Sequence, residues 1–322
     1  MQLKALGFGA IVWDDIKDTP TTGTVRTACI DGEESIGGAV LNVLAHLVKL
    51  GGSASMCSAV GMDRLGDKTL QQVACLKIGT EFIKKVQLPT PVIRVTFEDP
   101  CTPEYVIPDT ATWDAVEITE HDLATINAQH YDYFCFGTLE QRASLSEHSL
   151  DAILERCSFR DVMLDMTLRG AFYNRRIIEK SIRRSTIIKM NEGELAILGD
   201  LLGFRSVPPE QGIQALLASF REKYVCVTLG GQGSYLGHGQ ELVHAKAYPT
   251  SVCDTVGAGD AYSAGLLHGL YHGYSLQETA DFASRLAALI CSKKSSIPDY
   301  ALAEIATISS VPSAAGESSM ST

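Results

Sequence analysis

The segment DTVGAGDAYSAGLLHGL, residues 254–270, sets two carboxylates around a Gly-Ala-Gly turn. Gly257 and Gly259 let consecutive backbone N–H groups converge with no Cβ between them. The residues from Ala258 to Leu270 then read as a helix. Ala261, Ala264, Gly265 and His268 fall on one face, and Leu266, Leu267 and Leu270 cover the others. A helix that is apolar nearly all round is buried, so its start carries unpaired amides and partial positive charge into the interior. Such an end holds an anion, and a phosphoryl group is the natural one. Asp260, in the first turn, has two readings. It complements the helix dipole, or it is a general base that takes a proton from an attacking hydroxyl.

The elements that must position this turn follow from periodicity. Apolar runs predict strands over 5–13, 53–60, 131–138, 162–166, 186–191 and 224–230. Helices are expected over 37–51, 66–79, 146–157, 209–223, after Gly257, and over 275–294. This alternation implies an α/β fold with a mostly parallel sheet covered by helices on both faces. Residues 16–35 and 88–112 are polar and rich in Thr and Pro, and are expected to form a small β-flap. Its apolar residues Val25, Ile30, Val92, Val95 and Val106 offer a surface that a second copy would cover. Residues 233–248 read as a hairpin, and the Ser-rich stretch 309–322 as a disordered tail.

The chain has 322 residues and a net charge of −11, which argues against nucleic-acid and anionic-membrane partners. Nine cysteines, without a C-x-x-C pair and mostly inside apolar runs, read as reduced core residues of a cytoplasmic protein. The N-terminal apolar run reaches Asp14 and Asp15 too soon for a signal sequence or a membrane span. No G-x-G-x-x-G opens a helix after the first strand, which sets aside a dinucleotide-dependent dehydrogenase.

Four stretches in order resemble the ribokinase-like (PfkB) family of carbohydrate kinases: GGAVLNVLAHLVKLGG (37–52) with AVGMDRLGD (59–67), KMNEGEL (189–195), VTLGGQGSYL (227–236) and DTVGAGDAYSAGLL (254–267). The resemblance implies a three-layer α/β/α sandwich with a small β-sheet lid. It implies one kinase domain over 1–308, its lid built from about 16–35 and 88–112. It also implies transfer of the γ-phosphoryl of ATP to a primary hydroxyl of a small sugar, with Mg²⁺ as cofactor. Within the family, WDD (13–15), TWD (112–114), FGTLEQR (136–142) and DMTLRGAFY (165–173) look most like fructokinase-like members. A ribokinase, a nucleoside kinase, a 2-keto-3-deoxygluconate kinase and a catalytically silent sugar or nucleotide sensor stand as alternatives.

Carried over residue by residue, the resemblance makes Asp260 the base and Gly257, Ala258 and Gly259 the anion hole. Asp14 would accept hydrogen bonds from the sugar at the end of the first strand, with Gly37, Gly38 and Asn42 on the same rim. Gly37 reads equally well as part of a helix start. Arg94 would face the sugar from the flap, or would simply be a solvated charge. Gln141 and Arg142 follow a buried strand, where ligands collect in open α/β sheets. Arg169 would pair with phosphate oxygens, or form a surface ion pair. The family usually shows Asn where this chain has Thr167. Asn191 and Glu194 would organise Mg²⁺ through water, or cap a helix. Thr228, Gly230, Gly231 and Gly233 would form the nucleotide loop, or a tight turn. Asp254 lies in a loop that neighbours a monovalent cation site in related kinases. Here KKSSIP (293–298) stands where a glycine-containing stretch is more usual, which leaves K⁺ open.

Overall fold

The computed structural model describes residues 2–16, 35–99, 102–203 and 208–309, with the strand residues 15–16, 94–99 and 102–105 described through their backbone only. The strands are β1 (Lys4–Phe8), β2 (Val12–Ile16), β3 (Ser35–Gly37), β4 (Ser53–Gly61), β5 (Ile78–Gly79), β6 (Ile83–Val86), β7 (Val92–Asp99), β8 (Thr102–Val106), β9 (Tyr133–Phe136), β10 (Asp161–Asp165), β11 (Ile187–Asn191), β12 (Tyr224–Thr228), β13 (Ser234–His238) and β14 (Glu241–Ala245). The helices are α1 (Ala39–Lys49), α2 (Arg64–Cys75), α3 (Glu120–Gln129), α4 (Ser144–Arg156), α5 (Arg175–Arg184), α6 (Glu192–Leu202), α7 (Pro209–Ser219), α8 (Ala258–Tyr271), α9 (Leu276–Cys291) and α10 (Leu302–Thr307).

The large sheet runs β14-β13-β12-β11-β10-β9-β1-β4-β5, with β6 also alongside β4. From β12 to β5 every pairing is parallel, and β13 and β14 close one edge antiparallel. The period-2 alternation of strand side chains divides the core into two layers. Ala5, Tyr133, Cys135, Met163, Ile187 and Cys226 pack toward α1, α8 and α9. Leu6, Phe134, Phe136, Leu164, Ile188 and Val225 pack toward α3 through α7. This is the three-layer α/β/α sandwich that the sequence pattern implies. A second sheet, β3-β2-β7-β8, forms the small lid. Val25 and Ile30, expected on the flap, and the tail from 310 on lie outside the described residues.

The expected first strand over 5–13 is two strands. The Gly9 N–H still donates to the Cys57 carbonyl of β4 at 3.2 Å, but the next peptide group turns to side chains. Ser58 Oγ donates to the Gly9 carbonyl at 2.7 Å, and the Ala10 N–H donates to Glu140 Oε1 at 2.8 Å. Released from the large sheet, the chain enters the lid as β2, so Asp14 sits on a lid strand and not at the end of the first core strand. The hairpin over 233–248 is present as β13 and β14, an extension of the large sheet. Helices α3, α5 and α10 are short and not expected from the pattern, while α6 follows the cap that Asn191 and Glu194 offer; α5, RRIIEKSIRR, buries only three isoleucines and Ser181. The cysteines are also less uniform than expected. Among the described residues, Cys57, Cys135 and Cys226 are buried and Cys75 and Cys253 are exposed. Among the described residues, no helix is long and apolar enough to cross a membrane.

Helix α8 is held by close approach to α9. A Cβ on Gly265 would fall 2.7 Å from Ala283 Cα, and one on Gly269 would fall 2.9 Å from the Thr279 side chain. Gly265→Val therefore overpacks this seam and is expected to cost about 1–3 kcal/mol, read as a lower urea midpoint at unchanged slope. An unaltered midpoint would show that the seam is not under steric constraint.

Candidate active site

The C-terminal ends of the parallel strands, where open α/β sheets bind ligands, surround the start of α8. Gly257 caps that helix at φ +81, a left-handed conformation that favours glycine, and a Cβ there would lie 2.6 Å from Ser296 Cβ. Asp254 shapes the approach: its Oδ1 accepts from the Val256 N–H at 3.0 Å, and the Cys253 N–H donates to the Cys291 carbonyl at 2.7 Å. Among the described residues no side chain caps the helix start, although the Ala258 N–H donates to the Thr255 carbonyl at 3.3 Å.

Asp260 lies in the first turn of α8 and is only partly exposed. Asn42 Nδ2, from the buried face of α1, donates to its Oδ2 at 2.7 Å. Burial, then the Asp165 carboxylate, push the Asp260 pKa up to about 6 against the opposing pull of Lys189, the Asn42 hydrogen bond and Arg169. A carboxylate so tuned is mostly ionised at neutral pH yet is a better proton acceptor than an ordinary aspartate.

Asp14 is buried at 6 % exposure, and its Oδ1 has no hydrogen-bond partner among the described residues. Burial first, then the charges of Asp260 and Asp254, raise its pKa to about 7. The sequence-distant carboxylates Asp14 and Asp260 are thus brought within electrostatic reach. Gly37 borders Asp14: a Cβ there would sit 2.8 Å from Asp14 Oδ2. Gly38, at φ +129, caps α1, and a Cβ there would overlap the Ala10 carbonyl oxygen. Asn42 Oδ1 likewise lacks a partner among the described residues. Glu140, absent from the candidates read off the sequence, is buried below the break between β1 and β2. Its second oxygen, Oε2, is in the same condition as Asn42 Oδ1.

On the other side of α8, Asn191 ends β11 and caps α6. Its Oδ1 accepts from the Glu194 N–H at 2.9 Å and Glu194 Oε2 accepts from the Asn191 N–H at 2.9 Å, a reciprocal capping box. Glu194 Oε1 accepts from the Leu168 N–H at 3.0 Å. Burial raises the Glu194 pKa, opposed by Lys189. Each carboxylate oxygen keeps a further lone pair, so the donor set suits a hydrated Mg²⁺ and not a protein cage. Among the described residues no cluster of three His, Cys, Asp or Glu could hold a metal. Thr228 ends β12, and Gly230 and Gly231 follow with open space at their Cα positions. Gly233 serves the hairpin instead, since a Cβ there would overlap the Ala245 carbonyl oxygen.

The remaining expected residues divide. Arg169 follows β10 and acts electrostatically on Asp260. It leaves a loop in which Thr167 takes φ +36, an uncommon conformation for a β-branched residue and one that Asn adopts more readily. Arg142 is bound elsewhere: it makes paired hydrogen bonds to Asp114 at 2.8 and 2.7 Å and lies against the Trp113 and Phe172 rings. Gln141 Nε2 donates to the Gly137 carbonyl and to Ser181 Oγ, toward α5. Arg94 lies on lid strand β7, and its side chain is outside the described residues. Asp165 and Lys189, also absent from the sequence candidates, form a buried ion pair at 3.1 Å beneath the turn. The signal for them was a charge inside a strand that otherwise reads as apolar on both faces, VMLDM and IIKMN.

A family model described as pfkB family carbohydrate kinase matches residues 7–301. An ATP-dependent 6-phosphofructokinase of Thermoanaerobacterium thermosaccharolyticum is 24% identical over 86% of this chain and 89% of its own length. A fructokinase of Klebsiella pneumoniae is 27% identical over 85% of this chain and 86% of its own length. The fold is also that of a Vibrio cholerae fructokinase solved with fructose, ADP and calcium ion, with a TM-score of 0.76, 20% identity and coverage of 95% of this chain and 99% of that one.

The unfolded chain ionises an aspartate near pH ~3.9, whereas the folded chain holds Asp14 protonated to about 7. Raising the pH through that window charges Asp14 at a cost that the unfolded state does not bear, so its contribution favours folding at low pH and is lost toward neutrality. Asp14→Asn is therefore expected to be more stable than the parent at pH 8, by about 4 kcal/mol at most, with the gain fading toward pH 4. Denaturant unfolding at both pH values reads the difference; a gain independent of pH would refute the buried-charge account.

Proposed function

The chain belongs to the pfkB family of carbohydrate kinases, and on that premise we propose that it transfers the γ-phosphoryl of ATP to a primary hydroxyl of fructose. Asp260 takes the hydroxyl proton, and the amides of Gly257, Ala258 and Gly259 stabilise the charge on the migrating phosphoryl. Phosphoryl transfer asks for positioning and charge stabilisation more than covalent help, and an uncapped helix start beside a carboxylate of raised pKa supplies both. Thr228, Gly230 and Gly231 form the nucleotide loop, with Gly233 closing the hairpin behind it, and Arg169 neutralises phosphate oxygens. Asn191 and Glu194 would hold Mg²⁺ through its waters; when bound, the ion screens charge between the phosphates.

The observation that carries the acceptor assignment is the pairing of Asp14 with Asp260. Asp14, Glu140 and Asn42 Oδ1 leave hydrogen-bond acceptors without partners among the described residues on this side of α8, and alcohol O–H groups satisfy acceptors. A neutral polyhydroxy acceptor fits this wall. An acceptor with its own phosphate or carboxylate adds a further negative charge to a pair that already repels. Gly37 and Gly38 keep the backbone close to the sugar and lid strand β7, which carries Arg94, borders it, whereas Gln141 and Arg142 are held away by Ser181 and Asp114. Val92 and Val106, exposed on the lid strands at 49% and 59%, support a homodimer that covers this sheet.

An acceptor panel of fructose, fructose 6-phosphate, ribose, adenosine and 2-keto-3-deoxygluconate with ATP and Mg²⁺ tests the reading. Fructose is expected to give the highest kcat/KM, and preference for any other acceptor overturns it. Asp260→Asn is expected to lower kcat by about 10²–10⁴-fold, and near-normal turnover removes Asp260 from its role. The ionised base is the active form, so kcat/KM should fall about tenfold per pH unit below the Asp260 pKa of about 6. A rate flat down to pH 4.5 contradicts this.

A further inference from the structure

Between the large sheet and α8 lies a buried charge pair to which neither the base nor the anion-holding turn assigns a role. Asp165 of β10 and Lys189 of β11 occupy paired positions in the parallel register. Lys189 Nζ reaches Asp165 Oδ1 and Oδ2 at 3.2 and 3.1 Å, and the two residues are 6 % and 4 % exposed. Ser263, one turn into α8, places its Oγ 2.9 Å from Asp165 Oδ2 and 3.1 Å from the Gly259 carbonyl oxygen. The ammonium is pressed against the turn itself: a Cβ built on Gly259 would lie 3.2 Å from Lys189 Nζ. A buried ion pair gives little net stability, because desolvation offsets the attraction. Stability alone is thus a poor reason to bury a lysine at this spot.

We propose that Lys189 and Asp165 are a positioning pair for phosphoryl transfer, in which Asp165 and Ser263 fix the Lys189 ammonium beneath Gly259 so that its charge supports the migrating phosphoryl and holds Asp260 in its ionised form. This inference rests on the reading of Asp260 as the base. Among the described residues, the charged groups that face Asp260 are Asp165 from β10, Lys189 from β11, Arg169 from the loop after β10, and Asp14 from β2, with Asp254 beyond Asp14 and Glu194 of α6 beyond Lys189. Lys189 favours the charged base and Asp165 opposes it. Fixed charge in a site of low polarity needs no reorganisation as the reaction proceeds, which is the condition under which it accelerates transfer.

The two members make opposite predictions. In the full-length enzyme, with ATP, Mg²⁺ and the best acceptor of the panel, Lys189→Met should lower kcat at least about tenfold with acceptor KM little changed, and should move the acid limb of the rate profile to higher pH. Asp165→Asn should move that limb to lower pH. Lys189→Arg, which keeps the charge, should leave the limb where it is. The double variant Lys189→Met with Asp165→Asn leaves no uncompensated buried charge and serves where a single variant fails to fold. Its limb should return near the parent value while kcat stays at least about tenfold down. Parent-like kcat in the folded double variant, or limbs that do not move apart in the single ones, overturns the proposal. If Asp260→Asn is inactive while the double variant matches the parent, the pair inference alone has failed. If Asp260→Asn is active, the base assignment has failed first.

Discussion

The constraint on which the rest depends is a half-buried helix start that no described side chain caps, carried by a helix whose body is buried from Ala261 on. Helix α8 is apolar on nearly every side, so it runs through the interior, with its start near the ends of the parallel strands. Its partial positive charge is only partly screened by water there, and the side chains that meet it answer to that charge. Gly257 permits the left-handed turn, Asp254 shapes the approach, and Gly265 lets α9 close against the helix from behind.

Around this positive end the chain gathers carboxylates that repel one another. Asp14, Asp165, Glu194 and Asp260 come from β2, β10, α6 and α8, and three of the four have raised pKa values. The amide of Asn42 and the ammonium of Lys189 hold the arrangement together, yet burial remains the largest influence on each of the three. A site that raises the proton affinity of several buried or half-buried acceptors costs folding energy, and proton transfer is a chemistry that uses such acceptors. Other neighbours are already satisfied by the fold itself. Arg142 is locked to Asp114 between two aromatic rings, and Gln141 is held by the Gly137 carbonyl and Ser181. Residues of the second kind position loops whether or not a ligand is present.

The lid obeys the same constraint. The chain leaves the large sheet after Phe8 because Ser58 and Glu140 satisfy the peptide groups at Gly9 and Ala10. That departure carries Asp14 onto a separate sheet while keeping it within reach of Asp260. A continuous strand would have kept Asp14 in the large sheet, since strand side chains alternate strictly between two faces.

What the sequence determined alone was what depends on local pattern. Alternating apolar runs specify the parallel sheet and its helices, and Gly257, Gly259 and Asp260 mark a glycine turn that opens a buried helix beside a carboxylate, because glycine content and helix burial are written in consecutive residues. Short helices such as α5 were illegible, since three isoleucines among charges carry too weak a period. The tertiary structure decided what depends on partners far along the chain. Asn42 meets Asp260 across 218 residues, Glu140 meets Ala10 across 130, and Lys189 meets Asp165 across 24. Hydrogen bonding and desolvation act through space, so neither the break after Phe8 nor the proton affinities of Asp14 and Asp260 could be read before the chain was folded.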